Sequence, residues 1–336
     1  MSIRFAILGA GRIGQVHARA VDGNDQAVLA AVFDPVEPAA ASVTEQYGAE
    51  IRDLDAIAAA DDINAVIICT PTDMHAQQIE KFARAGKAVF CEKPIDLDPA
   101  RVRACLDVVN ESGATLMVGF NRRFDPHFMG VKAAIESGRI GTPEMGIITS
   151  RDPGAPPAEY ITRSGGIFKD MMIHDFDMAV FLMGSMPQAV MATGSVLTDK
   201  SIEALGDFDS ASAVLRWADG RQLSISNSRR ASYGYDQRVE MHGSLGMVAA
   251  ENEHPVRIEV ATAEGYMRPP LHDFFMTRYI AAYANEINAF ISAMDGHNGG
   301  AGASGIPTGI DGLNALLIAE AALESANVGR LVTIES

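Results

Sequence analysis

The chain has 336 residues, long for one compact core and suited to two domains, and 48% of them are hydrophobic, which excludes a disordered or fibrous protein. Its 27 basic residues stand against 43 acidic ones, and a net charge of −16 repels phosphate backbones and anionic lipid headgroups, excluding nucleic-acid and membrane partners as an expectation. No apolar run reaches the roughly 18 residues of a membrane span and no signal peptide precedes the first strand, so the expected location is cytoplasmic.

Ile3–Leu8 is an apolar strand that breaks at Gly9. A helical stretch follows at Gln15–Val21, then a strand at Val28–Phe33 that ends on Asp34. Asp53–Ala60 reads as a helix and Ala65–Cys69 as a third buried strand. Helix Met74–Ala85, strand Ala88–Phe90, helix Pro99–Ser112 and strand Thr115–Gly119 complete the alternation. Continuous apolar strands between amphipathic helices predict a parallel sheet covered on both faces, an α/β doubly wound Rossmann domain over residues 1–121. Cys69, Cys91 and Cys105 lie within these stretches as reduced core residues, with no Cys/His cluster to hold a metal.

Gly9-Ala10-Gly11-Arg12-Ile13-Gly14 places a GxGxxG loop between strand and helix. Gly9 permits the tight turn, Gly11 lets the backbone approach a pyrophosphate, and Gly14 lets helix pack on strand. The helix N-terminus, at Arg12 and Ile13, offers unpaired N–H groups to the phosphates. Asp34 follows Gly14 by about twenty residues, where a carboxylate hydrogen-bonds an adenosine ribose and repels a 2′-phosphate. Pro35 and Val36 supply no cation, so NAD is expected over NADP. The competing reading of Asp34 is a turn aspartate before proline.

Three further stretches fall at carboxyl ends of strands, where open α/β sheets bind ligands. They are Thr70-Pro71-Thr72 with His75, Glu92-Lys93-Pro94, and Gly119–Phe124. A lysine held beside a nicotinamide can donate a hydrogen bond to a reacting oxygen; the alternative for Lys93 is a surface turn. Later, Ser164–Asp177 predicts a partly buried helix from about Asp170 to Met183. On such a helix Asp170 and His174 share a face, a carboxylate–imidazole pair suited to general base work, with Asp177 further along. A core histidine and a metal site are the alternatives, and the Asp/His set is too small for a metal.

These motifs together resemble the Gfo/Idh/MocA family of oxidoreductases: GAGRIG at Gly9–Gly14, Glu92-Lys93-Pro94, GFNRRFDP at Gly119–Pro126, GGIFKDMMIHDFD at Gly165–Asp177, Arg278–Phe290 and Asp311–Ala326. The likeness spans nearly the whole chain and is nearest to members that oxidise inositol. It implies NAD-dependent oxidation of a cyclic polyol such as myo-inositol to its 2-ketone, with Lys93, Asp170 and His174 as the catalytic set. It places Gly9–Gly14, Asp34, Thr70, Pro71, His75, Glu92 and Lys93 on the coenzyme. Arg123, Asp177 and Tyr235 join Lys93, Asp170 and His174 on the substrate. The alternatives it leaves are another inositol isomer, an aldose or sugar derivative, and a non-catalytic dinucleotide sensor. Ser150-Arg151-Asp152-Pro153 departs from the His/Asn-bearing loop of some inositol-oxidising members.

The resemblance also implies that residues 122–336 form a substrate-binding α+β domain, its last helix able to return to the first domain. Candidate strands are Val190–Val196, Ser210–Trp217, Arg221–Asn227, Gln237–Gly243 and Gly246–Glu251, with a turn at Asp219-Gly220. A large, mostly antiparallel sheet left open on one face needs a partner, so a homo-oligomer, dimer or tetramer, is expected. Asp295–Ile306 reads as a mobile surface loop.

Overall fold

The computed structural model describes residues 2–295 and 305–335. Residues 296–304, most of the expected surface loop, lie outside the described residues. The chain divides into two compact units, Met1–Asp125 with Ala281–Leu316, and Pro126–Ile280 with Leu317–Ser336. Residues 281–316 thus count with the first unit; the sequence expectation divided the chain at residue 121, with the last helix able to return to the first domain.

The first unit runs β1 (Ile3–Leu8), α1 (Arg12–Asp22), β2 (Ala27–Phe33), α2 (Glu37–Tyr47), β3 (Glu50–Ile51), α3 (Leu54–Ala59), β4 (Ala65–Ile68), α4 (His75–Arg84), β5 (Ala88–Cys91), α5 (Pro99–Ser112) and β6 (Leu116–Val118). The sheet is parallel, ordered β3-β2-β1-β4-β5-β6. This order reverses direction between β1 and β4, which opens a ligand crevice at their carboxyl ends. Val66, Ile67 and Ile68 are fully buried, as a strand covered on both faces requires. Asp53 caps α3 by accepting the Ala56 N–H (2.7 Å), and Asp98 caps α5 through Ala100 (2.8 Å).

The second unit starts with α6 (Pro126–Glu136), β7 (Pro143–Arg151), α7 (Ala158–Ser164), α8 (Gly166–Asp170) and α9 (Ile173–Met183). It continues through β8 (Ala189–Ser195), β9 (Ser210–Arg216), β10 (Gln222–Ser228), β11 (Asp236–Gly243), β12 (Gly246–Ala250), the small hairpin β13 (Val260–Thr262) and β14 (Gly265–Met267), and α10 (Phe275–Arg278). Most of α11 (Ile280–Met294) and the start of α12 (Gly309–Val328) belong to the first unit, and β15 (Val332–Thr333) to the second. The seven-stranded sheet is ordered β12-β11-β7-β10-β9-β8-β15, antiparallel throughout except between β7 and β10. Central strand β7 includes Ser150 and Arg151, which the sequence reading treated as loop. Met145, Ile147, Met191, Val214 and Met247 are exposed apolar side chains on one face of this sheet, among polar neighbours such as Ser224, Glu240 and His242.

Candidate active site

The glycine loop follows directly from its three constraints. Gly9 sits at φ +96°, and a Cβ there would lie 2.6 Å from the Cys69 carbonyl oxygen. Gly14 lies under the loop, where a Cβ would come within 2.0 Å of the Gly9 oxygen. A Cβ on Gly11 would meet nothing within 4 Å, so this backbone borders open space. Gly11 is also the N-cap of α1 and supplies no side-chain acceptor. Uncapped N–H groups beside an open approach fit a pyrophosphate. Asp34, at the end of β2, accepts the Ala10 N–H through Oδ2 (2.6 Å) and the Val36 N–H through Oδ1 (2.8 Å). These bonds are those of the turn aspartate, and the turn holds the carboxylate at the edge of the loop.

Around β4 and β5 the residues separate by role. Thr70 donates its hydroxyl to Gln78 Oε1 (2.7 Å), and Pro71 is exposed at the crevice. His75 is only 2% exposed, with Nδ1 2.7 Å from the Pro94 oxygen and Nε2 2.7 Å from the Thr70 oxygen. Burial holds its pKa down. Both nitrogens face backbone carbonyl oxygens and a neutral imidazole carries one N–H, so His75 donates to one of the two ligand-facing turns and packs between them. The Glu92 carboxylate turns inward, with Oε1 2.7 Å from His17 Nε2. Lys93 follows it, joined to Pro94 by a cis peptide bond. Arg123 is buried, and its guanidinium donates to Asp311 Oδ1 (2.8 Å). Burial of Asp311 is outweighed by Arg123 and Thr308, which hold its pKa below the usual carboxylate range. That ion pair fixes the turn at Asn121–Phe124 to the start of α12.

In the second unit the expected continuous helix is broken. Asp170 ends α8 and His174 lies in the first turn of α9. Met171, Met172 and Ile173 are all buried, three successive positions that one face of a regular helix cannot cover. The ladder yields there, with the Met172 N–H donating to the Ile167 oxygen (2.9 Å). The spacing thus brings Asp170 and His174 to one junction by a different local structure. The Tyr160 hydroxyl donates to Asp170 Oδ1 (2.8 Å), and Arg229 Nη2 lies 3.7 Å from Asp170 Oδ2. Arg229 is itself buried and donates to Asp207 Oδ2 (3.0 Å). Neither Tyr160 nor Arg229 carries a sequence signal, because each joins Asp170 from a separate element.

Asp177 is buried within α9. Its neighbour Asp175, fully buried, accepts from Ser150 Oγ (2.6 Å) and Asn227 Nδ2 (2.8 Å), tying α9 to β7 and β10. Tyr235 precedes β11 rather than lying in it, with its ring packed edge-on against Phe274 and Tyr279 (5.6 and 5.9 Å between centroids). Tyr233, two residues before it, is exposed and donates to Asp236 Oδ2 (2.6 Å). A cavity of about 730 Å³ lies along α6 and the β12–β14 segment, lined by His127, Glu253 and Arg268 among others. None of the expected site residues lines it. No metal-ligating cluster occurs among the described residues.

Comparison with known proteins agrees with this fold. Residues 3–120 match the model of an oxidoreductase family described as an NAD-binding Rossmann fold, and residues 128–249 match the GFO/IDH/MocA C-terminal domain. Inositol 2-dehydrogenase of Rhizobium meliloti is 63% identical over 99% of this chain and 100% of its own. A crystal structure of a myo-inositol dehydrogenase from Corynebacterium glutamicum superposes with a TM-score of 0.93 at 40% identity, covering 100% of both chains. A scyllo-inositol dehydrogenase from Lactobacillus casei, solved with bound NAD(H) and scyllo-inositol, has a TM-score of 0.91 at 29% identity over 100% of both chains.

Proposed function

The chain belongs to the Gfo/Idh/MocA family as an NAD-dependent dehydrogenase, and on that premise we propose that it oxidises myo-inositol to 2-keto-myo-inositol (scyllo-inosose). The observation that carries the substrate is full-length likeness to enzymes named for inositol. NAD, when bound, supplies the hydride acceptor. The Gly9–Gly14 loop and the N-terminus of α1 hold its pyrophosphate, and Asp34 faces its ribose. His174 takes the substrate hydroxyl proton on an imidazole nitrogen, and Asp170 steadies that ring and strengthens it as a base. Lys93 donates from Nζ to the reacting oxygen. Asp177, Tyr235 and Arg123 select among the remaining hydroxyls. The retained Lys93, Asp170 and His174 favour an enzyme over a sensor, which has no use for a proton-transfer pair.

One second reading has a specific observation behind it, the likeness to a scyllo-inositol enzyme, and it assigns the chain another isomer. A panel of inositol isomers and aldoses, followed by NADH absorbance with NAD and NADP in parallel, tests both. The highest kcat/KM is expected with myo-inositol and NAD. Activity confined to an aldose would overturn the inositol assignment. Asp34→Ala should weaken NAD by about 10- to 100-fold, since one charge-assisted hydrogen bond contributes about 1.5–3 kcal/mol, and should narrow the preference over NADP. An unchanged NAD-to-NADP ratio of kcat/KM would remove Asp34 from coenzyme selection. The exposed apolar side chains on that sheet face support a homo-oligomer, and the reaction fits inositol catabolism in the cytoplasm.

A further inference from the structure

Three ionisable side chains from distant parts of the first unit meet in its interior. His17 comes from α1, the helix begun by the glycine loop, Glu92 from the turn after β5, and Glu286 from α11. His17 and Glu286 have fully buried side chains, and that of Glu92 is 12% exposed. His17 Nε2 lies 2.7 Å from Glu92 Oε1, while Nδ1 lies 3.9 Å from Glu286 Oε1. The rings of Phe90 and Tyr283 pack edge-on against the imidazole. Neither Glu286 oxygen has a hydrogen-bond partner among the described residues.

A carboxylate left so poorly solvated would cost several kcal/mol, so the group neutralises instead. Burial, and secondarily the charge of Glu92, push the Glu286 pKa well above its ordinary value. A protonated Glu286 facing Nδ1 favours the His17 tautomer that donates from Nε2 to Glu92. An apolar trio of similar volume would fold at least as well. The polar arrangement instead gives direction: it pulls the Glu92 carboxylate toward α1. From its other side Gly119 closes in, where a Cβ would lie 3.1 Å from the same carboxylate.

We propose that His17 is a positioning residue for Lys93: wedged between Glu92 and Glu286, it fixes the Glu92-Lys93-Pro94 turn to α1 and so to the glycine loop. The proposal rests on the assignment of Lys93 to the reacting oxygen. A kinetic double-mutant cycle tests it, because residues that act through one another give non-additive effects. His17→Asn should lower kcat by about tenfold in the otherwise unaltered enzyme, but by less than about twofold in a Lys93→Met background. His17→Gln, which can still donate to Glu92, should recover most of that loss. If His17→Asn does not fold, His17→Phe fills the same space without a donor and completes the cycle. Equal losses in both backgrounds, with Lys93→Met itself impaired, would overturn the proposal alone. Undiminished kcat in Lys93→Met would remove the Lys93 assignment, and the proposal with it.

Discussion

Replacing His174 with alanine is expected to lower kcat by about 10²–10⁴-fold, the usual contribution of a positioned general base. NADH affinity should stay within about twofold, because His174 is not among the groups assigned to the coenzyme. The ring sits in the first turn of α9, half-buried, just after the break that separates it from Asp170. Alanine is a good helix former, so the substitution removes the base without disturbing α9. Stopped-flow measurement of NADH formation, paired with fluorescence titration of NADH binding, separates the two quantities. Wild-type turnover in His174→Ala would end the general-base assignment. A parallel loss of NADH affinity would instead assign the histidine a part in holding the coenzyme.

Much of the first unit was legible because its signals are local. Strand β4 is a run of buried aliphatics, and Gly9, Gly11 and Gly14 each answer a constraint set within a few residues. Helix α2 and strand β3 escaped notice for a physical reason. The helix opens with Glu37-Pro38 and buries little beyond Ala40 and Val43, and both residues of β3 are exposed. Strand β7 was missed because Met145 and Ile147 are apolar yet exposed, which erases the alternation that marks a half-buried strand.

The site was legible as a set of residue types and less so as contacts. Asp170 and His174 suggested one helical face, and the burial of Met171, Met172 and Ile173 together dictated a junction instead. His75 and Glu92 look like ligand groups from their position after strands. Only the tertiary structure shows that Pro94, Thr70 and His17 already engage them. Glu286 could not be found by any local rule, since its partners His17 and Glu92 lie far away in the chain.

Gly14→Ala and Gly11→Ala should fail in opposite ways, although they add the same methyl group to the same loop. At Gly14 the new Cβ would lie 2.0 Å from the Gly9 oxygen and 3.0 Å from its carbonyl carbon. The nearby atoms are backbone, so relief requires β1, α1 or the turn between them to shift. Overpacking of this kind costs about 1–3 kcal/mol or more. Because the shift occurs in the loop, NADH affinity should fall by more than about tenfold as well, the factor that 1.4 kcal/mol represents. At Gly11 the Cβ enters open space, and the backbone is already in the extended region at φ −68°, ψ −166°. The only folding cost there is the poorer N-cap, about 1 kcal/mol or less. The methyl group, however, occupies the approach assigned to the pyrophosphate, so NADH affinity should fall steeply while the melting temperature changes little. Thermal unfolding and NADH titration on both variants distinguish these outcomes. A Gly11→Ala protein that binds NADH normally would place the pyrophosphate elsewhere. A Gly14→Ala protein as stable as the parent would show that helix and strand have slack at their closest approach.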